Sequence, residues 1–332
     1  MHEKNMKIEN IRCLAIFLVV LGHSIIMYSG KFHFIDTRYT IWAVKEIKDT
    51  INVLEMPLFM SVSGFVFYYS LRKTIGLKKF LSNKVFRIMV PYVLIGCFWV
   101  VPTRMVAGVR SFGNSFQYNI VNKILFMEDS AHLWYLPCLF VIFTIMYILH
   151  KIIGKQIGDK SFDIGVLIAL FFVSIIAKEK FTEINKVIQR IFMYLFWFDL
   201  GFLIHKYELY NFKKSDKNYY VRSLWYIMVC SFCMCIYFGW RSNYVYYAAA
   251  LFGVLGIYSI IPQKTNKFFK FVSKNSYGIY LLHSPMVWVA ARYMPDINAY
   301  IMVLFNVVIL GGIAIGMTCL LRKSKLKFII GE

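Results

Sequence analysis

The chain has 332 residues, of which 59% are hydrophobic, 18% aromatic and 17% charged, and its mean hydropathy is +0.58. Soluble domains carry about 25% charged residues, and no soluble globule of this length has interior enough to hide such an apolar excess. The same figures exclude a disordered chain, a coiled coil and a disulfide-stapled secreted domain, which leaves an integral membrane protein. A formal charge of +21 would suit a nucleic-acid partner in a soluble protein. Here Lys and Arg fall mostly in short segments between apolar runs, where membrane topology and anionic lipid headgroups account for them. No basic tract carries base-stacking aromatics, so no nucleic-acid partner is expected.

Apolar runs predict ten helices, near residues 8–28, 53–71, 85–106, 133–150, 164–177, 191–204, 223–239, 244–261, 277–293 and 301–321. The expected fold is an all-α polytopic membrane protein, one domain over residues 1–332. With the N-terminus cytoplasmic, the inner segments hold 23 basic residues and the outer ones 13, so both termini are expected inside, as an even number of spans requires. Lys4 and Lys7 before an apolar run resemble a signal peptide, but no small-residue cleavage site follows Tyr28 and Arg12 interrupts the run, so the helix is expected to be retained. All seven cysteines fall inside expected spans. Cys230, Cys233 and Cys235 read as small apolar fillers, because no His or carboxylate is spaced to complete a zinc shell. No metal is expected.

Ionisable groups inside spans are expensive and point to function. Arg12 and His23 stand eleven positions apart, which returns to within about 20° of one helix face and climbs roughly 16 Å. Snorkelling explains Arg12 equally well, and a hydrogen-bonded packing role explains His23. The second helix begins through Glu55-Met56-Pro57-Leu58-Phe59, with Pro57 near its start, and continues through small Ser61, Ser63 and Gly64 that admit a close neighbour. Lys84 and Arg87, three apart, share a face that could clamp a phosphorylated ligand. The fourth helix begins through His132-Leu133-Trp134-Tyr135-Leu136-Pro137, which sets His132 at the outer level of His23 and Glu55. Asp199 is a buried acid with no assigned partner, and His150 and His205 read as interfacial. In the ninth helix His283 precedes Pro285, which frees a backbone carbonyl nearby.

These segments, in this order, resemble acyltransferase family 3, the integral-membrane O-acyltransferases of surface glycans. The resemblance rests on Arg12 with His23, Met56-Pro57-Leu58-Phe59 with Ser63-Gly64-Phe65, Lys84-x-x-Arg87, His132 through Pro137, Phe198 through Gly201, and Ser276-Tyr277 through His283. Two departures stand out: Glu55 replaces a histidine found in many relatives, and Lys84 replaces the first arginine of an Arg-x-x-Arg pair, which loses one bidentate fork.

The resemblance implies a multi-pass protein of the bacterial plasma membrane. Its donor would be cytoplasmic acyl-CoA, most simply acetyl-CoA, and its acceptor a hydroxyl of a glycan or glycolipid. Arg12, Lys84 and Arg87 would meet the phosphates of CoA, with Tyr277 and His283 counted on the donor side. His23 would act as general base, with His132 or Glu55 orienting it or the acceptor, or else would carry the acyl group itself. A transporter or flippase for a glycan or lipid is the competing class, since intramembrane His, Glu and Asp also build proton relays. No duplicated halves with paired broken helices support it. The sequence leaves the acceptor, the acyl group and the oligomeric state open.

Overall fold

A computed structural model describes residues 6–30, 41–73, 75–153, 160–181, 185–209, 218–240 and 242–332. Lys4, residues 31–40 of the first loop expected outside, and parts of the basic loops at 154–159 and 210–217 lie outside the described residues. Among the described residues there is no strand, and ten long helices follow one another. They are α1 (Met6–Tyr28), α2 (Trp42–Leu71), α3 (Leu77–Val106), α4 (Ala131–Ile153), α5 (Lys160–Lys180), α6 (Lys186–Lys206), α7 (Asn218–Trp240), α8 (Asn243–Ile260), α9 (Lys267–Tyr293) and α10 (Ala299–Lys323).

Nine of the ten are long and apolar enough to span a bilayer, so the protein is an all-α polytopic membrane protein. Helix α9 is the exception, although it runs for 27 residues. Its sequence carries Asn275, Ser276, His283 and Ser284, and all four are buried in protein. Helix α7 shows the opposite face of the same rule, exposing Leu224, Trp225, Met228 and Phe232 where lipid would lie.

Helix α2 starts at Trp42, eleven residues before the expected start, because residues 42–52 continue the helical run despite their charges. Pro57 is therefore an interior proline rather than an N-terminal one. Several helices contain π-helical turns, including Val85–Met89 and Gly96–Val100 in α3, Ile148–Ile153 in α4 and Asn306–Leu310 in α10. Such turns change which side chains share a face and are frequent at functional sites.

The chain divides into two compact units, each assembled from three segments. Unit 1 comprises residues 1–15, 53–77 and 141–266; unit 2 comprises 16–52, 78–140 and 267–332. The tightest packing in unit 1 joins α2 and α6. A Cβ on Gly64 would lie 1.8 Å from the Phe198 carbonyl oxygen, and one on Gly201 would lie 1.8 Å from that of Ser61. Backbones approach this closely only over small residues. Gly201→Ala must therefore push the two helices apart; overpacking costs about 1–3 kcal/mol or more. The expected result is a clear drop in melting temperature of the purified protein, and an unchanged melt would disprove the contact.

Unit 1 also holds a buried polar network. His150 Nε2 lies 2.7 Å from Asp199 Oδ1, and His150 Nδ1 lies 3.4 Å from Asp163 Oδ1. Lys206 and Tyr207 both donate to Asp163 Oδ2. Asp199 thus acquires a partner that the sequence did not reveal, and His150 is buried in this network rather than interfacial. His205, also expected at the interface, is buried and donates from Nδ1 to the Phe65 carbonyl at 2.6 Å.

Candidate active site

Unit 2 gathers three histidines from three helices. The ring centroids of His23 (α1) and His283 (α9) are 5.0 Å apart, those of His132 (α4) and His283 are 5.7 Å apart, and those of His23 and His132 are 6.2 Å apart. The local sequence explains how each ring is held. Pro285 has no N–H, so the helix cannot satisfy the carbonyl of Leu281 four residues earlier. The His132 ring fills that vacancy, donating from Nε2 to the Leu281 oxygen at 3.1 Å. Tyr280 returns the link by donating its hydroxyl to the His132 carbonyl. Trp99 of α3 donates to the neighbouring Leu282 carbonyl at 3.1 Å, which fixes α3 against the same stretch of α9.

A carbonyl oxygen can only accept, so each backbone contact assigns a ring proton. His283 Nδ1 faces the carbonyls of Ile279 and Tyr280 at 2.8 and 3.0 Å and is protonated. Its Nε2 is then a lone pair, and it lies 3.3 Å from His23 Nδ1. His23 Nδ1 also lies 2.8 Å from the Val19 carbonyl, so its proton is shared between that oxygen and His283. What remains is the His23 Nε2 lone pair, on a half-buried ring with no hydrogen-bond partner among the described residues. His132 ends with its Nδ1 lone pair buried and likewise unpartnered among the described residues. Two neutral imidazoles therefore each offer a bare basic nitrogen, while the third orients one of them.

His283 was expected with the donor-binding cations, but its ring stands against His23. Position along one helix does not reveal which ring of another helix stands beside it, and α1 brings His23 there.

The residue that sequence reasoning missed is Arg104, in the last turn of α3. It is 6% exposed, its guanidinium carbon lies 3.8 Å from the centroid of the Trp288 ring, and its charge acts on both His23 and His132. Lys48 also acts on His23.

A second polar cluster of unit 2 lies where α3 begins and α10 ends. Lys84 is half-buried with its ammonium 5.3 Å from the Phe80 ring centroid, and Arg87 is exposed on the π-helical turn that follows. Tyr277 donates its hydroxyl to the Arg87 carbonyl at 3.0 Å. Gly331 presses on the same carbonyl, since a Cβ there would come within 2.4 Å of it, and its φ of +70° is readily adopted only by glycine.

Arg322 joins this cluster through Asn275 at 2.5 Å and through a two-pronged contact with Glu332, at 2.7 Å for each prong. That pairing holds the Glu332 carboxyl below the usual carboxylate range. Its contribution is present above the ordinary carboxylate pKa and is lost as the pH falls through the lowered value. Tyr277 is thus tied to the backbone of Arg87.

The remaining expected site residues belong to unit 1. Arg12 is half-buried there, with its charge acting on Tyr258. Glu55 is buried on α2, with its charge acting on Tyr246.

The sequence pattern of an acyltransferase domain matches residues 6–322, nearly the whole chain. The chain belongs to acyltransferase family 3. No curated protein and no solved structure matches it. The match makes the protein a membrane acyltransferase, and the histidine cluster lies within the matched span. An unpartnered imidazole nitrogen such as His23 Nε2 is chemically able to accept a proton.

Proposed function

We propose that the protein moves a short acyl group, acetyl most simply, from acyl-CoA to a hydroxyl of a glycan or lipid-linked glycan at the bacterial plasma membrane. The observation that carries this reading is the bare Nε2 of His23, held by the shared Nδ1 proton. The acceptor hydroxyl gives its proton to His23 Nε2 as its oxygen forms a bond to the thioester carbonyl carbon. The C–S bond then breaks, and the proton passes from His23 to the departing thiolate. As His23 becomes an imidazolium, the His283 lone pair and the Val19 carbonyl stabilise its Nδ1–H. His132 Nδ1 is placed to accept a hydrogen bond from the acceptor and align it. Lys84, Arg87 and Tyr277 would take the phosphates of CoA, which suits a donor arriving from the cytoplasm. Charged groups of this kind bind phosphate oxygens through shorter and stronger hydrogen bonds than neutral donors do.

The direct test is purified protein with radiolabelled acetyl-CoA and a panel of surface glycans, followed by release of free CoA and label on the glycan. Absence of transfer to every glycan, with CoA bound, would overturn the reading. Removing one charged contact to phosphate loses about 1.5–3 kcal/mol, so Arg87→Ala should weaken acyl-CoA binding about ten- to a hundredfold with acceptor affinity unchanged. Unchanged CoA affinity in that variant would remove Arg87 from the donor site.

A further inference from the structure

We infer that Arg104 binds an anionic group of the acceptor, a carboxylate or phosphate carried close to the hydroxyl that is acylated. The inference rests on the acyl-transfer reading and extends it to the acceptor's chemical class. A guanidinium carries five N–H donors, and none of those of Arg104 makes a hydrogen bond to a described residue. Its Nε is fully buried without a partner among them. Asp129 acts on it through charge alone.

Buried polar groups are nearly always hydrogen-bonded, and a buried cation with unmet donors is costly to keep. Trp288 covers one face of the guanidinium and leaves the in-plane edges, where the donors lie. Parallel donors on such an edge match the paired oxygens of a carboxylate or phosphate. Trp288 stands five residues beyond His283 on α9, and Trp99, on the same helix as Arg104, bonds the Leu282 carbonyl next to His283. An anion held by Arg104 therefore lies toward the histidine cluster and can set its neighbouring hydroxyl toward His23. A neutral acceptor would leave the donors unmet, and an acidic one completes them.

The test uses the full chain in lipid nanodiscs, first without acyl donor. Calorimetry compares a galacturonate oligosaccharide, its carboxyl-reduced counterpart and a sugar phosphate. Wild type should bind at least one acidic ligand about ten- to a hundredfold tighter than the neutral one, as expected for one charged hydrogen-bonded contact. Whichever acid binds tighter identifies the group. Arg104→Gln should erase that preference, and with labelled acetyl-CoA it should raise the acceptor KM while leaving acyl-CoA binding unchanged. Arg104→Lys should recover part of the preference.

Equal binding of acidic and neutral ligands by wild type would overturn the inference, and this comparison needs no variant to fold. A fall in kcat on both acceptors with KM unmoved would also overturn it, making Arg104 a group that serves the transition state. Charge-selective binding without any transfer would keep the inference and remove the acyl-transfer reading.

Discussion

His23→Ala should abolish acyl transfer while the protein still inserts, folds and binds acyl-CoA. Loss of a positioned general base typically costs about 10²–10⁴ in rate. Here His132 cannot substitute, because its basic nitrogen is Nδ1 and its ring is tied to the Leu281 carbonyl. The measurement is label transfer per mole of protein whose folding is verified by its melt. Transfer at wild-type rate would exclude His23 both as base and as acyl carrier. Incubation with labelled acetyl-CoA and no acceptor separates these two roles: label that stays on wild type but not on His23→Ala marks a carrier. His283→Ala should preserve the nucleus of the site but free the His23 ring, lowering kcat with little change in donor affinity. Loss of donor affinity instead would return His283 to the CoA site.

Asp199→Ala should cause the largest loss of stability. It leaves His150 buried with one of its two carboxylates missing, and breaking a buried charged pair by removing one partner typically costs about 3–5 kcal/mol. The expected observation is little folded protein in detergent extracts. Replacing both members, His150→Leu with Asp199→Leu, should restore most of the yield, because an apolar pair of similar volume removes both desolvation penalties. A single variant as stable as wild type would mean that the network has no structural role.

The helices were legible because a span of about 20 apolar residues is an unambiguous pattern. The charged residues 42–52 were not legible as helix, since hydropathy breaks there although the backbone does not. The interleaving of two units was invisible for a different reason: contacts between residues far apart in the chain leave no local trace.

His23 and His132 stood out as imidazoles at helix ends that ought to be apolar. Arg104 gave the same kind of signal as Arg12, but it lies two residues from the end of α3, where snorkelling accounts for a cation. Only its burial beneath Trp288 separates it from an interfacial arginine. Asp163 and His150 were hidden likewise, each near a basic helix end and each ordinary until paired.

The polarity of α9 also bears on how the protein is made. A segment bearing Asn275, His283, Ser284 and Arg292 gains little by partitioning into hydrocarbon, where charged residues carry penalties of several kcal/mol. It becomes acceptable only when other helices solvate it, and Gly278 lets α10 approach it closely at Thr318. The ninth segment should therefore remain at the translocation channel until α10 emerges and the two enter the bilayer as a hairpin. Chains halted before residue 299 would then leave their histidine-bearing helix outside the membrane, and the active site would be the last part of the protein to be assembled.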